Sequence, residues 1–133
     1  MSTAVVREAL NEGLGVTVIN RGNHPERIPD GVELVKADIR DSEKIRQMLE
    51  GRRFDAVIDF ICYTREQTAA SLGLFGSIAG QYIFISSACV YDTSLPGPKT
   101  EEAPKEFKEW NYSTDKWESE RYLAARAAEL RIR

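Results

Sequence analysis

Short apolar segments alternate with longer amphipathic segments along the chain. The apolar segments are rich in β-branched and aromatic residues and are bounded by Gly, Pro, Asn or Asp, which is typical of β-strands. Val32–Val35 alternates apolar and polar residues as a half-covered or edge strand does. The predicted strands are Val16–Asn20, Val32–Val35, Ala56–Cys62, which is apolar except for Asp59, and Tyr82–Ser86.

The segments between these strands carry signals for helices. Asp41 and Thr64 are suitable N-cap residues, and Gln67 completes a capping box with Thr64. Positions at helical spacing are predicted to face inward, and they are Ile45, Met48 and Leu49 in one helix and Ala69, Leu72, Phe75 and Ile78 in the next. The predicted helices run from Thr3 toward Gly13, from Asp41 to Gly51, from Thr64 to Gly80 and from Trp110 to Leu130, with a long loop over 92–109 and a strand stub over 131–133.

Strands that alternate with helices predict an α/β fold with a mostly parallel sheet covered on both faces. Right-handed crossovers between parallel strands then favour a doubly wound, Rossmann-like arrangement. At 133 residues with 42% hydrophobic content, the chain is long enough to bury a core as one small domain.

Composition narrows the classes of function. The net charge of −3 argues against a nucleic-acid partner. No segment approaches the ~20 apolar residues of a membrane helix, and the first residues lack the pattern of a signal peptide, so we expect no membrane association and a cytoplasmic location. Cys62 and Cys89 have no metal-binding spacing and are interpreted as small buried residues, and His24 as a surface residue in a polar turn, so we predict no metal site.

Three side chains form a candidate catalytic set. Tyr112 and Lys116 are four residues apart on a predicted helix and share one face, where an ammonium group favours the phenolate form of a tyrosine. Ser87 follows an apolar strand, where a hydroxyl can polarise a substrate oxygen. The alternatives are that Tyr112 packs under the helix, that Lys116 is solvated and that Ser87 satisfies a backbone group.

Several segments, in order, resemble the NAD-dependent epimerase/dehydratase family, the extended type of short-chain dehydrogenase/reductase. They are Val16–Gly22, Ala37–Asp41, Phe54–Asp59 and Phe84–Tyr91, followed by a Pro-rich acidic loop and Tyr112–Lys116. In that family a first strand and a Gly-x-x-Gly-x-x-Gly turn precede the helix that here begins near Thr3, and Gly13 and Gly15 come after it. The resemblance therefore implies that residues 1–133 are a partial NAD(P)-binding Rossmann-like domain that lacks the first strand, the glycine-rich turn and the C-terminal substrate domain.

The resemblance also implies roles for individual residues. Tyr112 exchanges a proton with the substrate, Lys116 contacts the cofactor ribose and lowers the pKa of the tyrosine, and Ser87 binds the reacting oxygen. Asp38 and Ile39 match positions that touch the adenine, although Asp38 also suits a turn, and Phe60, Ile61 and Cys62 match the wall of the cofactor cleft. Asn20 followed by Arg21 favours the 2′-phosphate of NADP over NAD, unless Arg21 merely faces solvent.

Two functions follow as alternatives. The first is the core of an NAD(P)-dependent epimerase/dehydratase or reductase that acts on a sugar-nucleotide-like or other hydroxy or keto substrate. In isolation this core is expected to be inactive and to bind NAD(P) weakly or not at all. The second is a non-catalytic binding or assembly module of the same fold, including an RNA-associated one. In the family's strand order the missing strand leaves two unpaired edges, so we expect a homo-oligomer formed through them.

Overall fold

The computed structural model describes residues 2–92, 94–105 and 110–130, with side chains described as far as residue 127. The chain divides into two compact units, residues 1–52 and residues 53–133. Each unit contains one pair of parallel strands together with helices. The predicted strand stub at 131–133 lies outside the described residues.

The first unit has the order helix, strand, strand, helix. A parallel pair joins its two strands in the register Val16↔Val32 to Asn20↔Lys36. Val35, Ala37, Ile45 and Leu49 form its buried apolar core. Its elements are α1 (Ser2–Asn11), β1 (Val16–Asn20), β2 (Val32–Lys36) and α2 (Ser42–Met48), with a short 3-10 helix at Pro25–Arg27 between the strands.

Local signals explain where the helices of this unit begin and end. Gly13 has a φ of +75°, and the hydrogen bonds from Gly13 N to Leu10 O and from Leu14 N to Ala9 O form a Schellman motif after α1. The Asp41 side chain accepts a hydrogen bond from Lys44 N and caps α2, as predicted. The prediction that Met48 faces inward is wrong, because the short helix directs Ile45 and Leu49 to the core and leaves Met48 42% exposed.

The second unit contains the other pair of strands and the two longer helices. Its parallel strands pair in the register Phe54↔Ala79 to Asp59↔Phe84. The apolar core consists of Cys62, Leu72, Leu74, Phe75 and Val90. Its elements are β3 (Phe54–Asp59), α3 (Arg65–Phe75), β4 (Ala79–Phe84) and α4 (Asn111–Leu130), with a 3-10 helix at Ala88–Val90.

Two boundaries in this unit differ from the prediction. Helix α3 ends at Phe75, so Ile78 follows the helix, and Gly80 lies inside β4 instead of ending the helix. A Cβ atom at Gly80 would lie 2.9 Å from the carbonyl oxygen of Asp55, so this glycine permits a close approach of the paired strand. Strand β3 ends at Asp59, three residues earlier than predicted, because the Asp59 side chain turns the chain there.

The α/β class and the parallel pairing confirm the predicted fold class. Along the described chain, β1 pairs only with β2 and β3 only with β4. Each of the four strands therefore has one edge without a partner strand among the described residues.

Candidate functional site

The ends of β3 and β4 define a common edge in the second unit. Asp59 and Phe84 are opposite each other in the parallel register, and Ile85 N donates to Asp59 O at 3.0 Å. Residues 60–62 and 85–87 therefore continue from the same, carboxyl edge of the strand pair. Ligands of open α/β sheets bind outside this edge.

Lys116 of α4 joins the two strand ends. Its Nζ donates to Cys62 O at 2.6 Å and to Ile85 O at 2.8 Å. The side chain is 1% exposed, and the ammonium lies 4.5 Å from the ring centroid of Phe84 and 5.3 Å from that of Tyr63. The alternative that Lys116 is solvated is therefore wrong.

The groups around Lys116 shift the pKa of its ammonium in opposite directions. Burial lowers the pKa of this ammonium below its ordinary value, while Cys62, Asp59, Cys89 and Glu120 oppose the lowering. Both hydrogen-bonded acceptors are neutral carbonyl groups. The site therefore holds a buried cation by backbone dipoles and aromatic rings.

Tyr112 lies in the first turn of α4 and belongs to a row of aromatic rings. Its ring centroid is 5.1 Å from that of Trp110 and 6.2 Å from that of Tyr63. The Tyr63 ring thus lies near both the Tyr112 ring and the Lys116 ammonium. Tyr112 is half-buried, and its hydroxyl makes no hydrogen bond within the described part of the chain.

Ser87 begins the 3-10 helix that follows β4. Its Oγ accepts a hydrogen bond from Cys89 N at 3.4 Å, so it satisfies a backbone group, as one alternative predicted. The hydroxyl hydrogen of Ser87 is not used in that contact. Among the described residues, no hydrogen bond joins Ser87, Tyr112 and Lys116 to one another.

A buried polar cluster that the sequence analysis missed lies beside this edge. Asp59 Oδ1 accepts from the backbone N–H groups of Ile61 (2.9 Å) and Cys62 (3.1 Å). Asp59 Oδ2 accepts from the Cys62 thiol, the Ser71 hydroxyl and the Tyr82 hydroxyl. The only local signal was the single acidic residue in an apolar strand, because Ser71 and Tyr82 come from distant segments.

The cluster shifts the pKa values of its members apart. Burial alone would raise the pKa of Asp59, but the hydrogen bonds from Cys62, Ser71, Ile61 N and Tyr82 outweigh it and hold the pKa below the ordinary value. Burial, together with the neighbouring carboxylate, raises the pKa of the Cys62 thiol to about 12. Burial likewise raises the pKa of Tyr82. The cluster therefore consists of one carboxylate and neutral donors.

The first unit places the predicted adenosine-side residues at the carboxyl edge of its own strand pair. Asn20 ends β1, and its side-chain oxygen accepts from Gly22 N at 2.7 Å. Gly22 has a φ of +69°, which glycine adopts readily. Arg21 is exposed in this turn. Its position at the strand end suits a phosphate group, and the exposure equally fits the solvent-facing alternative.

Asp38 and Ile39 follow β2 at the same edge. Asp38 Oδ1 accepts from Arg40 N at 3.0 Å, and Asp38 O accepts from Asp41 N at 3.0 Å. These contacts are those of a turn residue, as the alternative for Asp38 predicted. Asp38 is exposed and Ile39 is half-buried, and their contact with adenine stays a prediction.

Other predicted features concern metals, cysteines and membranes. Among the described residues, no group of His, Cys, Asp and Glu side chains could hold a metal ion. Cys62 is buried, Cys89 is half-buried, and His24 is exposed next to Glu26. Within the described ranges, no helix is long and apolar enough to cross a membrane.

Comparison with solved structures identifies similar folds. UDP-glucose 4-epimerase from Brucella ovis in complex with NAD superimposes with a TM-score of 0.86 at 19% identity, and covers 98% of this chain and 46% of that one. UDP-glucose 4-epimerase from Thermus thermophilus in complex with NAD gives a TM-score of 0.79 at 20% identity, with 98% and 48% covered. An epimerase from Methanothermobacter thermautotrophicus gives 0.82 at 17% identity, with 98% and 45% covered.

These comparisons show the fold, and the chain spans about half the length of the structures it matches. A comparison with curated protein sequences found no match. The family model for the NAD dependent epimerase/dehydratase family matches residues 1–133. Because that match runs through the whole sequence, the chain belongs to the NAD dependent epimerase/dehydratase family.

Proposed function

We propose that the chain is the NAD(P)-binding core of an epimerase, dehydratase or reductase that transfers hydride to or from a sugar-nucleotide-like or other hydroxy or keto substrate. Residues 1–133 act as a partial Rossmann-like domain that needs a substrate domain for turnover. The proposed location is the cytoplasm, as for an enzyme of small polar metabolites.

The observation that carries this proposal is the burial of Lys116. A buried ammonium without a carboxylate in hydrogen-bond contact is costly, and a hydrophobic side chain would fill the same space at lower cost. Lys116 nevertheless lies at the carboxyl edge of a parallel strand pair, one helical turn after Tyr112. Perturbed ionisable groups at such edges are typical of functional sites.

The proposed roles follow from position. Tyr112 takes a proton from the substrate hydroxyl, or returns it, at its phenol oxygen. Lys116, one helical turn after Tyr112 on α4, contacts the cofactor ribose and supplies a positive charge at this edge of the strand pair. Ser87 keeps a hydroxyl hydrogen with which it binds the reacting oxygen. A bound nicotinamide would supply the hydride chemistry.

Each unit carries groups that fit part of the cofactor. In the first unit, the exposed Arg21 guanidinium suits a 2′-phosphate and the Asn20 amide suits a ribose hydroxyl, which favours NADP over NAD. In the second unit, the Lys116 ammonium suits the other ribose, with Phe60, Ile61 and Cys62 beside it. The sequence has no Gly-x-x-Gly-x-x-Gly run to bind the pyrophosphate, so we expect weak binding.

Titration of the isotope-labelled chain with NADP⁺ and NAD⁺, followed by NMR, tests this assignment. We expect the signals of Asn20, Arg21 and Lys116 to shift, with a Kd of about 1 mM or weaker. A Kd of about 1 mM corresponds to a binding free energy of about −4 kcal/mol. Arg21→Ala should abolish the preference for NADP⁺, and Arg7→Ala, in an exposed part of α1, should leave it unchanged. A preference for NADP⁺ that survives in Arg21→Ala would refute the assignment of Arg21, and micromolar or tighter binding would contradict the expectation of weak binding.

The catalytic roles need a version of the chain extended by a glycine-rich turn and a substrate domain from an active relative. Tyr112→Phe should lower kcat by roughly 10²- to 10⁴-fold with little change in cofactor affinity, because it removes only the proton-transfer group. Tyr122→Phe is the control, since Tyr122 lies on the same helix as Tyr112 and its ring contacts the Arg65 guanidinium of α3. Equal turnover in the Tyr112→Phe variant would exclude Tyr112 as the proton-transfer group.

A further inference from the structure

Asp59 is a buried carboxylate whose two oxygens both accept several hydrogen bonds. It is 7% exposed, and no salt bridge to it occurs among the described residues. Its charge is balanced by two backbone N–H groups, one thiol and two hydroxyl groups. Such a saturated carboxylate holds its neighbours in one geometry, because each donor would be left unpaired if it moved.

The backbone contacts of Asp59 act on the acceptor of Lys116. Oδ1 binds the N–H groups of Ile61 and Cys62, directly after the strand ends. The carbonyl group of Cys62 accepts the shorter of the two hydrogen bonds from Lys116 Nζ. The orientation of the Cys62 peptide group and the position of the ammonium are thus linked through one turn.

The side-chain contacts of Asp59 anchor that turn to two further elements. Ser71 lies on α3 and Tyr82 on β4, and their hydroxyl oxygens lie 2.8 Å apart. The Asp59 carboxylate accepts from Cys62 N and the Lys116 ammonium donates to Cys62 O, so the two charges contact opposite sides of one residue. The other titratable groups that face Lys116 are Cys62, Cys89 and Glu120, and Glu120 is already paired with Lys105 at 3.0 Å.

We propose that Asp59 is a positioning residue for Lys116: its carboxylate fixes the Cys62 peptide group whose carbonyl holds the ammonium, and it places a negative charge on the other side of that residue. The importance of Lys116 in catalysis rests on the proposed function. The positioning itself is a property of this chain and is measurable without cofactor or substrate.

The test is an NMR titration of the chain labelled at the ε-carbons of lysine, with the Lys116 signal assigned by Lys116→Met. In Asp59→Asn, which keeps the shape and one oxygen, the Lys116 titration midpoint should move to lower pH. In Asp59→Ala, the amide hydrogens of Ile61 and Cys62 should in addition exchange roughly tenfold faster. Failure of the NADP⁺ titration would leave both expectations unaffected.

Asp55→Asn is the matched control, because it removes one carboxylate charge from an exposed position of the same strand, outside the Asp59 cluster. It should leave the Lys116 midpoint unchanged. An unmoved midpoint in Asp59→Asn, or an equal movement in Asp55→Asn, would overturn the proposal.

If Asp59→Asn does not fold, a double variant distinguishes an effect of Asp59 on Lys116 from an effect on the fold alone. A buried ammonium deprived of its charge partner is itself a cause of unfolding. Adding Lys116→Met to Asp59→Asn should then restore a folded chain, since coupled sites are not additive. A double variant as unfolded as the single one would mean that Asp59 acts on the fold alone.

Discussion

The Cys62 thiol is expected to make the stability of the chain fall in alkaline solution. Its pKa is raised from an ordinary value of 9.0 to about 12, because the thiol is buried and donates to the Asp59 carboxylate. In the unfolded chain the same thiol loses its proton near 9.0. The stabilisation from the protonated thiol is therefore fully present below pH 9 and is lost as the pH rises toward 12.

The size of the effect follows from proton linkage. Well above its unfolded pKa, a group that stays protonated in the folded state lowers the free energy of unfolding by about 1.4 kcal/mol for each pH unit. Between pH 8 and pH 10 the loss is about 1.4 kcal/mol in total, since the unfolded thiol only begins to ionise near pH 9. That is measurable against a typical stability of about 5–15 kcal/mol.

The assay compares two serine variants by urea unfolding under reducing conditions. Cys62→Ser keeps a donor to Asp59 and removes the titrating thiol, and Cys89→Ser retains Cys62 and changes a half-buried cysteine. The free energy of unfolding of Cys62→Ser minus that of Cys89→Ser should rise by about 1.4 kcal/mol from pH 8 to pH 10. Contributions from ionisable groups that do not interact with either cysteine are common to both variants and cancel.

A constant difference between the two variants over that range would refute the reasoning. It would mean that the folded thiol ionises as easily as the unfolded one. The Asp59 cluster would then be open to water at Cys62.

Three further predictions concern the fold. Gly80→Ala should lower the free energy of unfolding by about 1–3 kcal/mol, because its Cβ would lie 2.9 Å from the Asp55 carbonyl oxygen. Gly73→Ala in α3, where the space around the Cβ is open, should raise it by about 0.5–1 kcal/mol. Equal urea midpoints for the two variants would contradict this. Asp41→Ala should lower the free energy of unfolding by about 1 kcal/mol, because α2 loses its N-cap. Thermal melting followed by circular dichroism should show a lower Tm for this variant than for the control Asp55→Ala, which changes an exposed residue of β3. Sedimentation equilibrium should report a dimer or larger species formed through the edges of β1 and β3, and a monomer at all concentrations would count against edge pairing.

Local sequence determined most elements of the fold. The β-branched segment at Val16–Asn20 became β1, and the cap residues Asp41 and Thr64 each accept the predicted backbone hydrogen bond. The spacing of Tyr112 and Lys116 places both on α4. These features depend on neighbours within a few residues, where side-chain chemistry acts directly on the backbone.

The site depended on contacts between distant parts of the chain. Lys116 bonds Cys62 O across 54 positions and Ile85 O across 31, and Asp59 meets Tyr82 across 23. Nothing in the pattern around Asp59 distinguishes a buried, hydrogen-bonded carboxylate from a solvated one at a strand end. Nor does the pattern around Gly80 distinguish the end of a helix from a strand glycine that meets a backbone carbonyl.

Sequence by itself therefore determined the helices, the strands, the family and the helix that carries Tyr112 and Lys116. Tertiary structure alone decided that Lys116 is held by two strand-end carbonyl groups and that Asp59 is buried among donors. The physical reason is that burial and hydrogen-bond partners are set by the register of β3 on β4 and by the packing of α3 and α4 around them. These contacts appear only once the strands have paired.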